Sequence, residues 1–418
     1  MKKLLLFGIA SFFAFNVLAQ STWHYLPNAP GSGRIDDVFF INSQKGWCGT
    51  SGGRIFKTND GGDHWEEYDS IVGYVRCIEF FNENIGYAGT LGGKLLRTSD
   101  GGDTWTDIAP SITPAPEGVC GLSIADSLFA YAVGQWDTPG FFLKTMDGGN
   151  TWTRHNMSAY SNALVDVFFI SRDTGFVTGQ GANGGAVILY TTDGGLSWSK
   201  KFDSGIPGQY VWKIQHVKGD FWVGSIQTFN GGKFIKSSDG GQTWTEHTAP
   251  VPDMQGIGFA TPLHGWVGGY VNGFYETIDG GESWEFKDFG GNFNRFYFLD
   301  STLAYASGWS VFKFSDTTSS SVSQPARASL EDDGFIISLS PNPSDQYVDV
   351  KFYLPVQDNL RMGFYSADGA MIRAVYHERL LAPGDYTFRA DCSTLPPGAY
   401  FLGVQRNCGL YARSFTKL

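Results

Sequence analysis

Three arginines, Arg34, Arg76 and Arg295, each stand near the start of a short apolar run in this 418-residue sequence. Guanidinium groups brought together would hold a carboxylate or a sulfate through forked, charge-assisted hydrogen bonds. Trp136, Asp137, Tyr210 and Trp212 complete the candidate ligand-binding set, the aromatic faces being suited to stacking on sugar rings or peptide side chains. Asp36, Asp37 and Glu79 lie beside the arginines and offer the opposite outcome, in which each guanidinium is neutralised internally. Asp37 with Asp166 or Asp137 would be a carboxylate pair for glycoside hydrolysis, which needs the two acids about 5–10 Å apart across a cleft. Sequence spacing alone does not assign that pair, and no Tyr nucleophile with a Glu partner stands out. The five cysteines follow no metal-site spacing, so no metal and no cofactor is assigned.

These residues must be positioned by repeats. The pattern Ser/Thr-x-Asp-Gly-Gly-x-Ser/Thr-Trp recurs with Asp100 and Trp105, Asp147 and Trp152, Asp193 and Trp198, Asp239 and Trp244, and Asp279 and Trp284. A further copy, Thr58-Asn59-Asp60-Gly61-Gly62-Asp63-His64-Trp65, carries His64 in the hydroxyl position. The steps of 40 to 47 residues match the period of blade-like units. An Asp accepting turn amides, followed by glycines free to take positive φ, makes a tight turn. With an apolar run before it, such as Lys94-Leu95-Leu96-Arg97, each copy reads as a hairpin.

Ahead of the hairpins come aromatic runs such as Asp37-Val38-Phe39-Phe40, and then segments such as Gly46-Trp47-Cys48-Gly49. The unit therefore has four strands. The last copy dissolves after Asp316 into Thr317-Thr318-Ser319, without its fourth strand, while Ser21-Thr22-Trp23-His24-Tyr25-Leu26 resembles a fourth strand with no unit of its own. The reading is an all-β chain: a seven-bladed β-propeller of four-stranded blades over 20–316, closed by an N-terminal strand so that no edge is left open.

The Asp-Gly-Gly-x-x-Trp unit resembles the Asp-box, or BNR repeat, of sialidases, xyloglucan hydrolases, sortilin-type receptors and photosystem II assembly-factor-like propellers. In those families it is a structural turn. Blade number, boxes and closing strand together are most similar to the photosystem II stability/assembly-factor-like proteins, which implies a non-catalytic protein-binding scaffold. Sialidases carry an Arg-Ile/Leu-Pro motif, whereas Asp36 follows Arg34-Ile35 here. The chain is read as a binding propeller for an extracellular protein or glycan; an extracellular glycoside hydrolase of sialidase-like or xyloglucanase-like type is the alternative.

Both ends point to export. Lys2-Lys3, an apolar stretch from Leu4 to Leu18, and Ala19 before Gln20 predict a signal peptide over 1–19, too short to be a membrane anchor. No later apolar run is long enough to predict a transmembrane segment in the mature chain. Residues 317–334, rich in Ser and Thr and then acidic at Glu331-Asp332-Asp333, read as a linker. From 335 to 418, short strands between turns such as Asp368-Gly369 and Pro383-Gly384 predict a small immunoglobulin-like β-sandwich. Ser340-Pro341-Asn342-Pro343, Ala367-Asp368-Gly369, Leu395-Pro396-Pro397-Gly398-Ala399-Tyr400 and Phe415-Thr416-Lys417-Leu418 resemble a type IX secretion C-terminal sorting domain. That resemblance implies the type IX machinery as a partner. It also implies passage through the periplasm to the outer-membrane surface of a Gram-negative bacterium, or release from it. Cys392 and Cys408 share this region and are a candidate pair, whereas Cys48, Cys77 and Cys120 read as buried apolar residues. With 55 Gly, 16% aromatic and 17% charged residues, the composition suits an exported all-β protein. A net charge of −11 argues against nucleic acid and anionic lipid as partners.

Overall fold

The apolar runs become strands almost throughout the computed structural model, and among the described residues the 3₁₀ turn Ala109–Ser111 is the only helical element. The structure describes residues 21–26, 28–31, 33–70, 73–134, 139–228, 231–316, 337–354, 358–365, 371–382, 384–406 and 409–418. The predicted signal peptide and linker lie outside the described residues, as do Trp136, Asp137 and Cys408.

Within 21–316 the strands form seven four-stranded antiparallel sheets. Their first strands are Ile35–Phe40, Val75–Phe80, Gly121–Ile124, Ser161–Phe169, Tyr210–Lys218, Met254–Phe259 and Arg295–Phe298, here numbered sheets one to seven. Each first strand lies against the next, and Arg295–Phe298 returns to Ile35–Phe40. First and second strands such as Gly46–Thr50 are buried on both faces, while fourth strands such as Thr245–Ala249 are largely exposed. Sheets pack face to face through aromatic residues. Trp47 stacks on Phe80 at 3.6 Å between sheets one and two, Tyr131 on Phe169 at 3.5 Å between three and four, and Phe40 on Tyr305 at 3.4 Å between one and seven.

Sheet seven is completed from the other end of this region. Ser21–Tyr25 pairs antiparallel with Val311–Asp316, placing Trp23 opposite Phe314 and Tyr25 opposite Phe312. The Trp23 ring meets Trp266 edge-on at 5.7 Å and also touches Phe274 and Phe296.

The C-terminal residues form a three-stranded and a four-stranded antiparallel sheet. Val348, Val350 and Phe352 from the first, and Leu360, Phe364, Leu402 and Phe415 from the second, share one buried cluster. The chain end is anchored to the Pro341-Asn342-Pro343 turn: Thr416 N–H donates to Asn342 Oδ1 at 3.0 Å, and Leu418 N–H to the Ser344 carbonyl at 2.9 Å. Cys392 is a buried free thiol, as are Cys48, Cys77 and Cys120.

Trp23→Ala should cost about 3 kcal/mol of stability, the lower end for a large aromatic truncated in a core. Urea unfolding checks this, and an unchanged midpoint would mean that the N-terminal strand does not hold the ring.

Candidate functional site

The box carboxylates are consumed inside their own turns. Thr98 Oγ1 donates to Asp100 Oδ1 at 2.8 Å and accepts Gly102 N–H at 2.9 Å. Asp100 then accepts the Thr104 N–H at 2.9 Å and the Thr104 hydroxyl at 2.6 Å. These bonds, the Thr104 hydroxyl first, hold the Asp100 carboxyl down at about 2. In the first copy the His64 ring nitrogen, 2.7 Å from Asp60 Oδ2, replaces the hydroxyl. The turns also join sheets: Trp47 Nε1–H donates to the Gly101 carbonyl, Lys144 to that of Gly194, and Tyr305 to that of Gly61. Gly241 shows why the second glycine is required, since at φ +81° a Cβ would sit 2.4 Å from the Phe176 ring.

The residues able to recognise or transform a ligand converge at the centre of the ring through a device that simple alternation misses. The first strands of sheets one, two, four, five and six each carry a register shift, at Asp36, Arg76, Val165, Trp212 and Gln255 respectively. A bulge inserts an unpaired residue and re-aims its side chain. Arg76 stands at such a bulge and shares Asp36 with Arg34, which precedes its strand, while Arg295 of sheet seven, whose first strand pairs without a shift, reaches the neighbouring Asp37.

Each arginine is already engaged. Arg34 Nε lies 2.5 Å from Asp36 Oδ1, its Nη2 donates to Gln255 Oε1, and its guanidinium covers the Tyr270 ring at 4.2 Å. Arg76 Nη1 lies 3.3 Å from Asp36 Oδ2, and its guanidinium stacks on Trp212 at 4.9 Å. Arg295 bridges two carboxylates, with Nε 2.5 Å from Asp37 Oδ1 and Nη2 donating to Asp166 Oδ1 at 3.0 Å. Trp212 is only 7% exposed and donates from Nε1 to Asn294 Oδ1 at 3.2 Å; Asn294 in turn donates to Asp36. Half-buried Tyr210 meets Trp212 edge-on at 6.2 Å.

The remaining carboxylate oxygens link neighbouring sheets. Asp37 Oδ2 accepts Ile78 N–H at 3.1 Å, Glu79 Oε1 accepts Ile124 N–H at 3.1 Å, and Asp166 Oδ2 accepts Ile214 N–H at 3.0 Å. Ser123 and Gln215 make the corresponding bonds to Phe169 and Phe259. Burial opposes ionisation of Asp36 and Asp166. Arg76 and Arg34 nevertheless hold Asp36 below the usual range, as Arg295 and Lys213 hold Asp166. For Asp37 burial wins over Arg295 and Lys213, and its carboxyl is raised. Burial, reinforced by Asp37, lifts Glu79 to about 8; burial, reinforced by Arg295, brings Lys213 down to about 8.

All four oxygens of Asp37 and Asp166 thus have donors, so acid–base work by this pair would first have to break those bonds. Among the described residues no group of three His, Cys, Asp or Glu side chains is placed to hold a metal ion. Sequence reasoning passed over Lys213, Gln255 and Asn294, whose only signal was a polar residue inside an otherwise apolar run. It also passed over Tyr270 and Trp309, which are 53% and 50% exposed on loops of sheets six and seven. Trp309 packs on Gly291, close to the Val271 carbonyl that follows Tyr270. Tyr270 thus covers Arg34, and Trp309 follows Gly308, whose carbonyl accepts the Ile35 N–H next to Arg34 at 2.9 Å.

Glu79 gives the ring a pH signature. Its folded value near 8 lies above the ordinary 4.5, so the folded state keeps a proton that the unfolded state releases. This contribution is fully present below about 4.5 and is lost at about 1.4 kcal/mol per pH unit as pH rises towards 8. Glu79→Gln keeps an acceptor for Ile124 N–H and should flatten the decline, measured by urea unfolding at several pH values. An unaltered slope would contradict the assignment.

A family model described as photosynthesis system II assembly factor YCF48 matches residues 113–256. Among solved structures, YCF48 bound to D1 peptide is similar over 71% of this chain and 96% of that one, at 18% identity and a TM-score of 0.54. PorZ, a surface component of the type-IX secretion system of Porphyromonas gingivalis, is similar over 94% of this chain and 60% of that one, at 12% identity and a TM-score of 0.53. An ancestral GH74 enzyme is similar over 95% of this chain and 64% of that one, at 11% identity and a TM-score of 0.52. No curated protein sequence matches the chain. At these identities the likeness is one of fold, and the chain contains a BNR-like β-propeller.

Proposed function

We propose that this chain is an exported, non-catalytic binding protein. In this reading the seven sheets are the blades of one closed propeller, and an extracellular protein or glycan docks at the channel mouth. Residues 335–418 then form an immunoglobulin-like sorting domain read by the type IX machinery. One observation carries the binding half: the carboxylates best placed for catalysis have every oxygen engaged, while half-exposed Tyr270 covers the Arg34 guanidinium and Trp309, also half exposed, follows the Gly308 that bonds to Ile35. An exposed aromatic over a guanidinium suits stacking on a sugar ring or a peptide side chain. Export is supported by the predicted signal peptide and by the coincident C-terminal motifs, two of which, Pro341-Asn342-Pro343 and Phe415–Leu418, are hydrogen-bonded together. The fold-level likeness to a type-IX surface component agrees with this placement.

Glycoside hydrolysis is the second reading, favoured by the likeness to a GH74 fold and by Asp37 and Asp166 sharing Arg295. Glycan and peptide arrays separate the two. Stoichiometric capture without turnover of fluorogenic glycosides is expected. Tyr270→Ala with Trp309→Ala should weaken capture at least about tenfold, as for a binding hot spot, and leave the melting temperature unchanged. Turnover that disappears in Asp166→Asn would establish the hydrolase instead. For export, deleting 335–418 should leave the protein in the periplasm, and a truncated protein that still reaches the surface would remove the sorting role.

A further inference from the structure

Three donors buried at the centre of the ring find no acceptor in the protein: Nη2 of Arg76, Nζ of Lys213 and Nε2 of Gln255. Their residues are 1%, 3% and 1% exposed and come from sheets two, five and six. They belong to one polar cluster. Arg76 and Arg34 share Asp36, and Arg34 reaches Gln255. Lys213 N–H donates to Ser225 Oγ at 3.1 Å, and that hydroxyl donates to the Gln255 carbonyl at 2.7 Å. A buried donor without a partner loses its hydration and gains nothing in return, a cost larger for a charged group than for an amide.

The charge balance points the same way. Arg34, Arg76, Arg295 and Lys213 bring four positive charges, facing the carboxyls of Asp36, Asp37, Asp166 and Glu79, the Tyr74 hydroxyl and the Cys77 and Cys120 thiols. Glu79, lifted to about 8, is protonated at neutral pH. Burial raises Asp37 as well, so the four basic groups, of which Lys213 is brought down to about 8, face at most three ionised carboxylates, and an unbalanced charge in a water-poor interior is costly.

We propose that the channel holds a small monovalent inorganic anion, of the chloride type, between Arg76, Lys213 and Gln255, as a structural ion tying sheets two, five and six together. Such an ion accepts from all three donors and neutralises the excess charge. The near-complete burial of the donors suits a small ion rather than a bulky organic one, whereas half-exposed Tyr270, lying over Arg34, reaches the surface.

The test uses the full chain with chloride and bromide as probes. Crystals of the unaltered protein grown in sodium bromide should show an anomalous peak among Arg76, Lys213 and Gln255. No peak there, or a peak only at the mouth beside Arg34, overturns the proposal. In solution at pH 7 and constant ionic strength, replacing gluconate by chloride should raise the melting temperature by about 3 °C or more, as binding to the folded state alone requires. Lys213→Met should abolish that dependence. Equal melting temperatures in the two salts, or a chloride effect that survives in Lys213→Met, would contradict the anion site.

Discussion

Among the described residues adjacent sheets in this ring share no backbone ladder, only single backbone bonds such as Ile35 N–H to the Gly308 carbonyl, so most of what sets one sheet against the next comes from side chains. At the outer side of each joint the work falls to aromatic stacking and to the box turns. At the centre it falls to carboxylates and amides that accept a neighbour's N–H, and to arginines that reach further round the ring. Arg295 of sheet seven extends to Asp37 of sheet one and Asp166 of sheet four, while Trp212 of sheet five reaches Asn294 beside sheet seven. Buried ion pairs add little net stability compared with apolar packing, but losing one partner is severe. Their value here is specificity, since the pairs made by Arg76 and Arg295 each fix a distance between two sheets.

This constraint shapes the functional reading. Groups that in isolation look like an anion-binding trio and a hydrolytic acid pair are held in one network with the bulge residues and the neighbouring N–H groups. Half-exposed Tyr270 covers the Arg34 guanidinium, half-buried Tyr210 meets Trp212, and Trp309 is half exposed on a loop of sheet seven. The proposed ligand therefore meets an aromatic rim and the accessible edge of Arg34.

Much of the fold was legible because it is local. A Thr, an Asp and a Gly-Gly at fixed spacing dictate their turn without help from elsewhere, and the orphan strand around Trp23 matched the copy that lacked one. The centre was less legible. A period of two places Arg76 and Asp36 on a face by counting, and a bulge breaks that count without leaving a residue-type signature. Trp212 illustrates the consequence: expected at a stacking surface, it is sealed under the Arg76 guanidinium. Tyr270 and Trp309 lie on loops with no periodicity to mark them.

The central claim, that paired charges across the ring hold the sheets in register, is tested most directly by a double-mutant cycle on Arg295 and Asp166. Arg295→Met, Asp166→Asn and the combined variant would be compared by denaturant unfolding, Asn being chosen to preserve an acceptor for Ile214 N–H. Each single change should cost about 3 kcal/mol or more by stranding a buried charge. The double variant should recover much of that loss, giving a coupling above about 1.5 kcal/mol. Additive losses, with no coupling beyond about 0.5 kcal/mol, would show that the two residues act independently and would contradict the account.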